Sequence, residues 1–137
     1  GPWGVQMEAE EGETYVGLIT RSDGSFESIT QRLSTKLEKG YCYQFNLDVA
    51  SSDTYSGFNN RIQFRIYGGT KKCRRTQLLY ESPLIDNTQW ENHKIKFTAE
   101  KNLRYIIIEA YHPADKNPVK GHVLFDNLTR ILKCGKV

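Results

Sequence analysis

The stretch His122-Val123-Leu124-Phe125-Asp126-Asn127-Leu128-Thr129-Arg130-Ile131 sets a carboxylate inside an apolar, β-prone run. A buried charge without a partner is costly, so Asp126 must ligate a metal, act as a catalytic acid, or accept backbone N–H groups. Other reactive side chains give no familiar constellation. His93, His112 and His122 are scattered. His112 and His122 bracket a loop near Asp115, but neither an H-x-H nor an H-E-x-x-H pair is present, and they read as ordinary histidines. No G-x-S-x-G elbow occurs. Cys42, Cys73 and Cys134 form no C-x-x-C pair, which excludes a zinc ribbon, and an odd count leaves one thiol over if a disulfide forms. Lys71-Lys72-Cys73-Arg74-Arg75 is a basic run without interleaved aromatics. It reads as a solvated loop, and no nucleic-acid partner is expected.

The elements that must position these groups are strands. Apolar residues alternate with period two, and no stretch has helical period. The pattern predicts strands at about 15–20, 26–33, 41–50, 61–67, 77–81, 91–97, 105–111 and 122–131. In the third, Tyr43, Phe45, Leu47 and Val49 share one face; in the fourth, Ile62, Phe64 and Ile66 point inward. Ser22-Asp23-Gly24-Ser25 is a hairpin signal, and Gly40 and Gly68-Gly69 are breakers. Short strands at this spacing suggest a sandwich or a barrel. A chain of 137 residues fits one domain, 1–137. It begins Gly1-Pro2, and is expected to be excised from a larger protein. Its net charge of +3 lacks the strong bias of a dedicated nucleic-acid binder. No apolar run reaches the length of a membrane span, so membrane insertion is not expected.

Six motifs in order carry a resemblance. They are Gly12-Glu13-Thr14-Tyr15-Val16-Gly17-Leu18; Gln31-Arg32-Leu33; Leu37-x-x-Gly40-x-x-Tyr43-x-Phe45; Trp90 leading to Lys96-Phe97-Thr98; Tyr105-Ile106-Ile107-Ile108-Glu109; and Leu124-Phe125-Asp126-Asn127-Leu128. This order resembles the galactose-binding-like jelly rolls, among them the carbohydrate-binding modules of families 4, 9 and 22. It is similar also to a lectin-like domain of secreted or surface proteins of the Bacteroidetes. The resemblance implies an all-β jelly-roll sandwich of two antiparallel sheets. In families 4 and 22 a structural calcium is commonly held partly by an N-terminal glutamate and partly by an acidic pair in the last strand. The resemblance therefore implies Asp126 as a calcium ligand, with Asn127 in the second acid's place. The other reading of Asp126 is a carboxylate accepting backbone N–H groups from the N-terminal segment.

A jelly roll nests its hairpins, so the predicted strands fall into sheets ordered 1-8-3-6 and 2-7-4-5. The outward face of the second sheet then carries Arg61, Gln63, Arg65 and Tyr67 from the fourth strand, with Ile107, Glu109 and Tyr111 from the seventh. Tyr55, in the long 51–60 loop, is expected to lean over it as a rim platform. Planar donors, a carboxylate and aromatic rings are what sugar hydroxyls and C–H faces require. Glu109 is the one acid expected there, which suits binding better than a hydrolysis needing two carboxylates. The same face also reads as a solvated sheet with cross-strand charge pairs such as Arg65–Glu109. All three cysteines fall at the basic end, where Cys42–Cys134 and Cys42–Cys73 are both feasible bridges. The expected function is a non-catalytic glycan- or polysaccharide-binding module, extracellular or on the cell surface, without cofactor apart from the implied calcium. The alternatives are a spacer or domain that binds other surface proteins without sugar, and an anion-binding module using the basic end.

Overall fold

The computed structural model describes residues 15–113 and 115–136. The Gly12-Glu13-Thr14 motif and the expected N-terminal partner of Asp126 lie outside them. The described residues form ten strands and no helix: β1 (Val16–Thr20), β2 (Ser28–Leu37), β3 (Tyr41–Ala50), β4 (Asn60–Arg61), β5 (Gln63–Gly69), β6 (Gln77–Glu81), β7 (Glu91–Thr98), β8 (Leu103–Tyr111), β9 (Gly121–Asp126) and β10 (Leu132–Lys136). One sheet is ordered β2-β8-β5-β6. The other sets β9 between β1 and β3, with β7 on the far edge of β3. This is the nested-hairpin order expected from the jelly-roll resemblance.

Alternation decides what is buried. Phe45, Leu47 and Val49 of β3, Phe64 and Ile66 of β5, Ile106, Ile108 and Ala110 of β8, and Val123 and Phe125 of β9 build one core between the sheets. Phe64 stands edge-on to Phe125 of the opposite sheet, with ring centroids 5.0 Å apart. On β8 the phase expected from sequence holds. Ile106 and Ile108 join the core, while Ile107, Glu109 and Tyr111 pair across to Tyr67, Arg65 and Gln63 on the outer side.

Two expected strands are each divided. The 61–67 strand is two ladders. Asn60 and Arg61 run parallel to Gly121 and His122 of the other sheet, and the chain changes sheets at Ile62. Gly121 permits this crossing, since a Cβ there would collide with the Ile62 side chain and the Asn60 carbonyl. The 122–131 strand breaks after Asp126. Asn127 adopts φ +50°, in the left-handed region that asparagine tolerates better than most residues. Through the break, Thr129 substitutes for a ladder: its N–H donates to the Asn46 carbonyl and its hydroxyl accepts from the Asn46 N–H. β10 then pairs with 41–44 of β3, on the edge that β9 occupies at 48–50.

Candidate functional site

The register lays out the outer face of the β2-β8-β5-β6 sheet as cross-strand rows. One row reads Ser28, Glu109, Arg65, Glu81; the next reads Thr30, Ile107, Tyr67, then Leu78. Tyr111 lies opposite Gln63 in the row before them. Gln63, Arg65, Tyr67, Glu109 and Tyr111 thus share the face, as expected. Their pairing differs from the expected one. Arg65 and Glu109 are register partners, yet Arg65 Nε bonds Glu81 at 2.7 Å and Glu109 takes Arg75 at 2.5 Å. The Arg65 guanidinium also lies 3.6 Å from the centroid of the Tyr111 ring and donates to the Tyr67 hydroxyl. Gln63 donates to the Ser82 carbonyl through Nε2 at 2.7 Å. Glu81 is a second acid on the face, with Arg65 between it and Glu109.

Arg75 comes from the basic run that reads, by sequence, as a solvated loop. Gly69 explains how it reaches the sheet. A Cβ on its outward side would collide with the carbonyl oxygens of Lys71 and Arg74, so only glycine lets the 70–76 hairpin fold back over the face. Arg75 then reaches Glu109 with its guanidinium 5.9 Å from the ring centroids of both Phe26 and Tyr67. Beneath it Glu109 is only 5% exposed and Ile107 only 1%. An outward-facing acid buried this deeply sits in a built network, not on a bare solvated face. Sequence offered two signals for Arg75 and Phe26: Gly68-Gly69 before the basic run, and the even spacing of Phe26 with Ser28 and Thr30.

Arg61 and Tyr55 do not belong to this face. Because the chain changes sheets at Ile62, Arg61 sits at the sandwich end and donates to Ser51 and Asp53. Tyr55 stacks on His122, with centroids 4.2 Å apart and planes 10° from parallel, and so covers the other sheet. His122 points outward there yet is fully buried. Its Nε2 accepts from the Ser52 N–H at 2.8 Å, which requires Nδ1 to carry the proton that meets the Phe58 carbonyl at 2.6 Å. Burial pushes its pKa below 6.5, and the Phe58 carbonyl opposes that shift.

Asp126 stands across from Asp48 on the outer side of the six-stranded sheet. Its Oδ1 accepts the backbone N–H of Asn127 at 2.8 Å. Both oxygens of Asp48 accept from side-chain amides, those of Asn92 and Asn127. Calcium takes six to eight oxygens. Among the described residues no group of three or more His, Cys, Asp and Glu side chains converges, and the N-terminal glutamate that the resemblance implies lies outside them. Cys42 bonds Cys134 across the β3–β10 pair, with Cα atoms 5.0 Å apart, while Cys73 is exposed and free. A cavity of about 840 Å³ opens at the sandwich edge, between residues 31–38 and 129–133. It adjoins the outer face at Arg32, which lies opposite Tyr105, and its lining includes the Lys133–Glu38 ion pair and the Tyr43 ring.

No protein-family model matches the chain, and no curated protein is similar to it in sequence. Solved structures do match its fold. The C-terminal domain of EclA, described as a sugar-binding protein, superposes with a TM-score of 0.54 at 18% identity, over 96% of this chain and 87% of that one. A CBM4 structure superposes at 0.55 and 10% identity, over 98% and 92% respectively. The chain therefore has a β-sandwich fold of the kind found in carbohydrate-binding modules.

Proposed function

We propose that this domain is a non-catalytic glycan-binding module of a secreted or cell-surface protein, taking its ligand on the outer face of the β2-β8-β5-β6 sheet. The observation that carries this reading is the network on that face: Arg65 and Arg75 ordered by Glu81, Glu109 and three aromatic rings. Guanidinium and amide groups held in place hydrogen-bond paired hydroxyls with little further loss of entropy. Tyr67 and Phe26 offer ring surface for C–H faces, while Arg65 covers Tyr111 and turns that ring into a support. Gln63, Arg65 and Arg75 supply the hydrogen bonds. Each carboxylate is tied to a guanidinium, with Arg65 between the two in the row, which suits recognition better than hydrolysis. The sugar-binding neighbours of the same fold support the reading. The Cys42–Cys134 bridge supports an oxidising, extracellular setting.

The same charge pairing favours a second reading, a spacer or protein-docking domain whose face is stable without ligand. A glycan array covering plant and bacterial polysaccharides separates the two. Retention of a glycan that weakens at least tenfold in Tyr67→Ala and in Gln63→Ala supports the module. Silence across the array leaves the spacer.

A further inference from the structure

Charge is unevenly placed on this molecule. The loops 21–27, 51–59, 82–90 and 112–120 gather at one end of the sandwich, where Asp23, Glu27, Asp53, Asp86 and Asp115 outnumber Arg21, Lys116 and Lys120. The 70–76 hairpin stands at the other end. Lys71, Lys72 and Arg74 are exposed there and, among the described residues, have no ion pair. At Gly69 this hairpin folds back with the Lys71 and Arg74 carbonyls against the candidate face, so the residues that carry these cations adjoin Arg75 of the site. Arg75 engages Glu109 through Nε, and its terminal nitrogens bond no described group. Arg32 adds another exposed guanidinium, without an ion pair among the described residues, in the row that ends at Gly69.

A neutral sugar gains little from unpaired cations, whereas a carboxylate or sulfate gains a bidentate partner in a guanidinium and attraction from lysines within a Debye length of roughly 8–10 Å. Resting on the glycan-binding reading, we propose that the ligand is an acidic polysaccharide, its anionic groups lying toward the β5–β6 hairpin.

Affinity electrophoresis and calorimetry with matched polymers test this: polygalacturonate against its fully methyl-esterified form, dextran sulfate against dextran, and polyglutamate as a charged polymer without sugar. We expect at least tenfold tighter binding of the charged member of one pair, and which pair responds tells carboxylate from sulfate. That preference should collapse between roughly 0.05 and 0.5 M salt as charges are screened. In the triple variant K71Q/K72Q/R74Q the charged-to-neutral affinity ratio should fall at least about threefold, with Arg75 and Arg32 holding the remainder and the wild-type melting temperature kept; an unchanged ratio overturns the role of the hairpin. Equal affinity for both members of each pair overturns the acidic preference and leaves the glycan reading standing. Equally tight binding of polyglutamate overturns the saccharide part. Binding to no polysaccharide, charged or neutral, defeats both.

Discussion

Glu109 and Arg75 show how one residue pair sets the character of a surface. Glu109 faces outward on β8 yet is almost without solvent, and Arg75 is its ion partner. Removing the arginine strands a desolvated carboxylate, which costs about 1–3 kcal/mol. Chemical denaturation should therefore find Arg75→Ala destabilised by that amount and Glu109→Gln less so. In the double variant most of the loss should return; additive losses would show that the two do not act as a pair. Asp126 is the contrasting acid. Its visible partner is the next backbone N–H, so we expect the same melting temperature in calcium and in chelator. A calcium site filled at a hundredfold its dissociation constant would add about 2.7 kcal/mol, and a shift of that size would overturn the assignment.

At the scale of elements, two attachments hold segments to the six-stranded sheet. The first is His122 under the 51–60 loop. Its pKa is lowered in the folded state, chiefly by burial, so the unfolded chain binds the proton more readily. Stability is full above about pH 6.5 and declines as pH falls below it. Protonation also places a hydrogen on the Nε2 that accepts from Ser52. Thermal unfolding followed from about pH 7 to about pH 5 should show a shallower decline in His122→Gln than in wild type. Some decline should remain, because burial also lowers His93. An unchanged slope would exclude His122 as the acid-sensitive attachment. The second attachment is the Cys42–Cys134 bridge, which joins residues 92 apart in sequence. Chain entropy alone assigns a closure of that length about 4.6 kcal/mol. Thiol titration of the denatured, unreduced protein should find a single reactive cysteine, Cys73. Reduction should lower the melting temperature markedly, and three free thiols before reduction would refute the pairing.

For the molecule as a whole, the sequence made some features readable and hid others, for physical reasons. The alternation of Tyr43, Phe45, Leu47 and Val49 marks a strand with one buried face, and ordered motifs bring the nested pairing with them. The sheet change at Ile62 is hidden because Arg61 keeps the two-residue phase of Gln63 and Arg65. Periodicity records the side of a ladder, not its partner. The break after Asp126 is hidden because 122–131 is β-prone throughout, and one left-handed residue, Asn127, ends the pairing. Arg75 is only half legible: Gly68-Gly69 marks the turn before it, but its reach to Glu109 is a tertiary contact that no local preference encodes.

The bridge between β3 and β10 also decides how this domain would carry a mechanical load. Tension entering on the C-terminal side of Cys134 passes through sulfur to Cys42 in the central strand, and leaves residues 43–133 inside a closed covalent loop. Only the chain before Cys42 can then be drawn out. The resistance comes from the β1–β9 and β2–β8 ladders, pulled against the remainder of the sandwich. In a force-spectroscopy trace the oxidised domain should lengthen by little more than those first two strands and their flanks. The reduced domain should give up its full contour length.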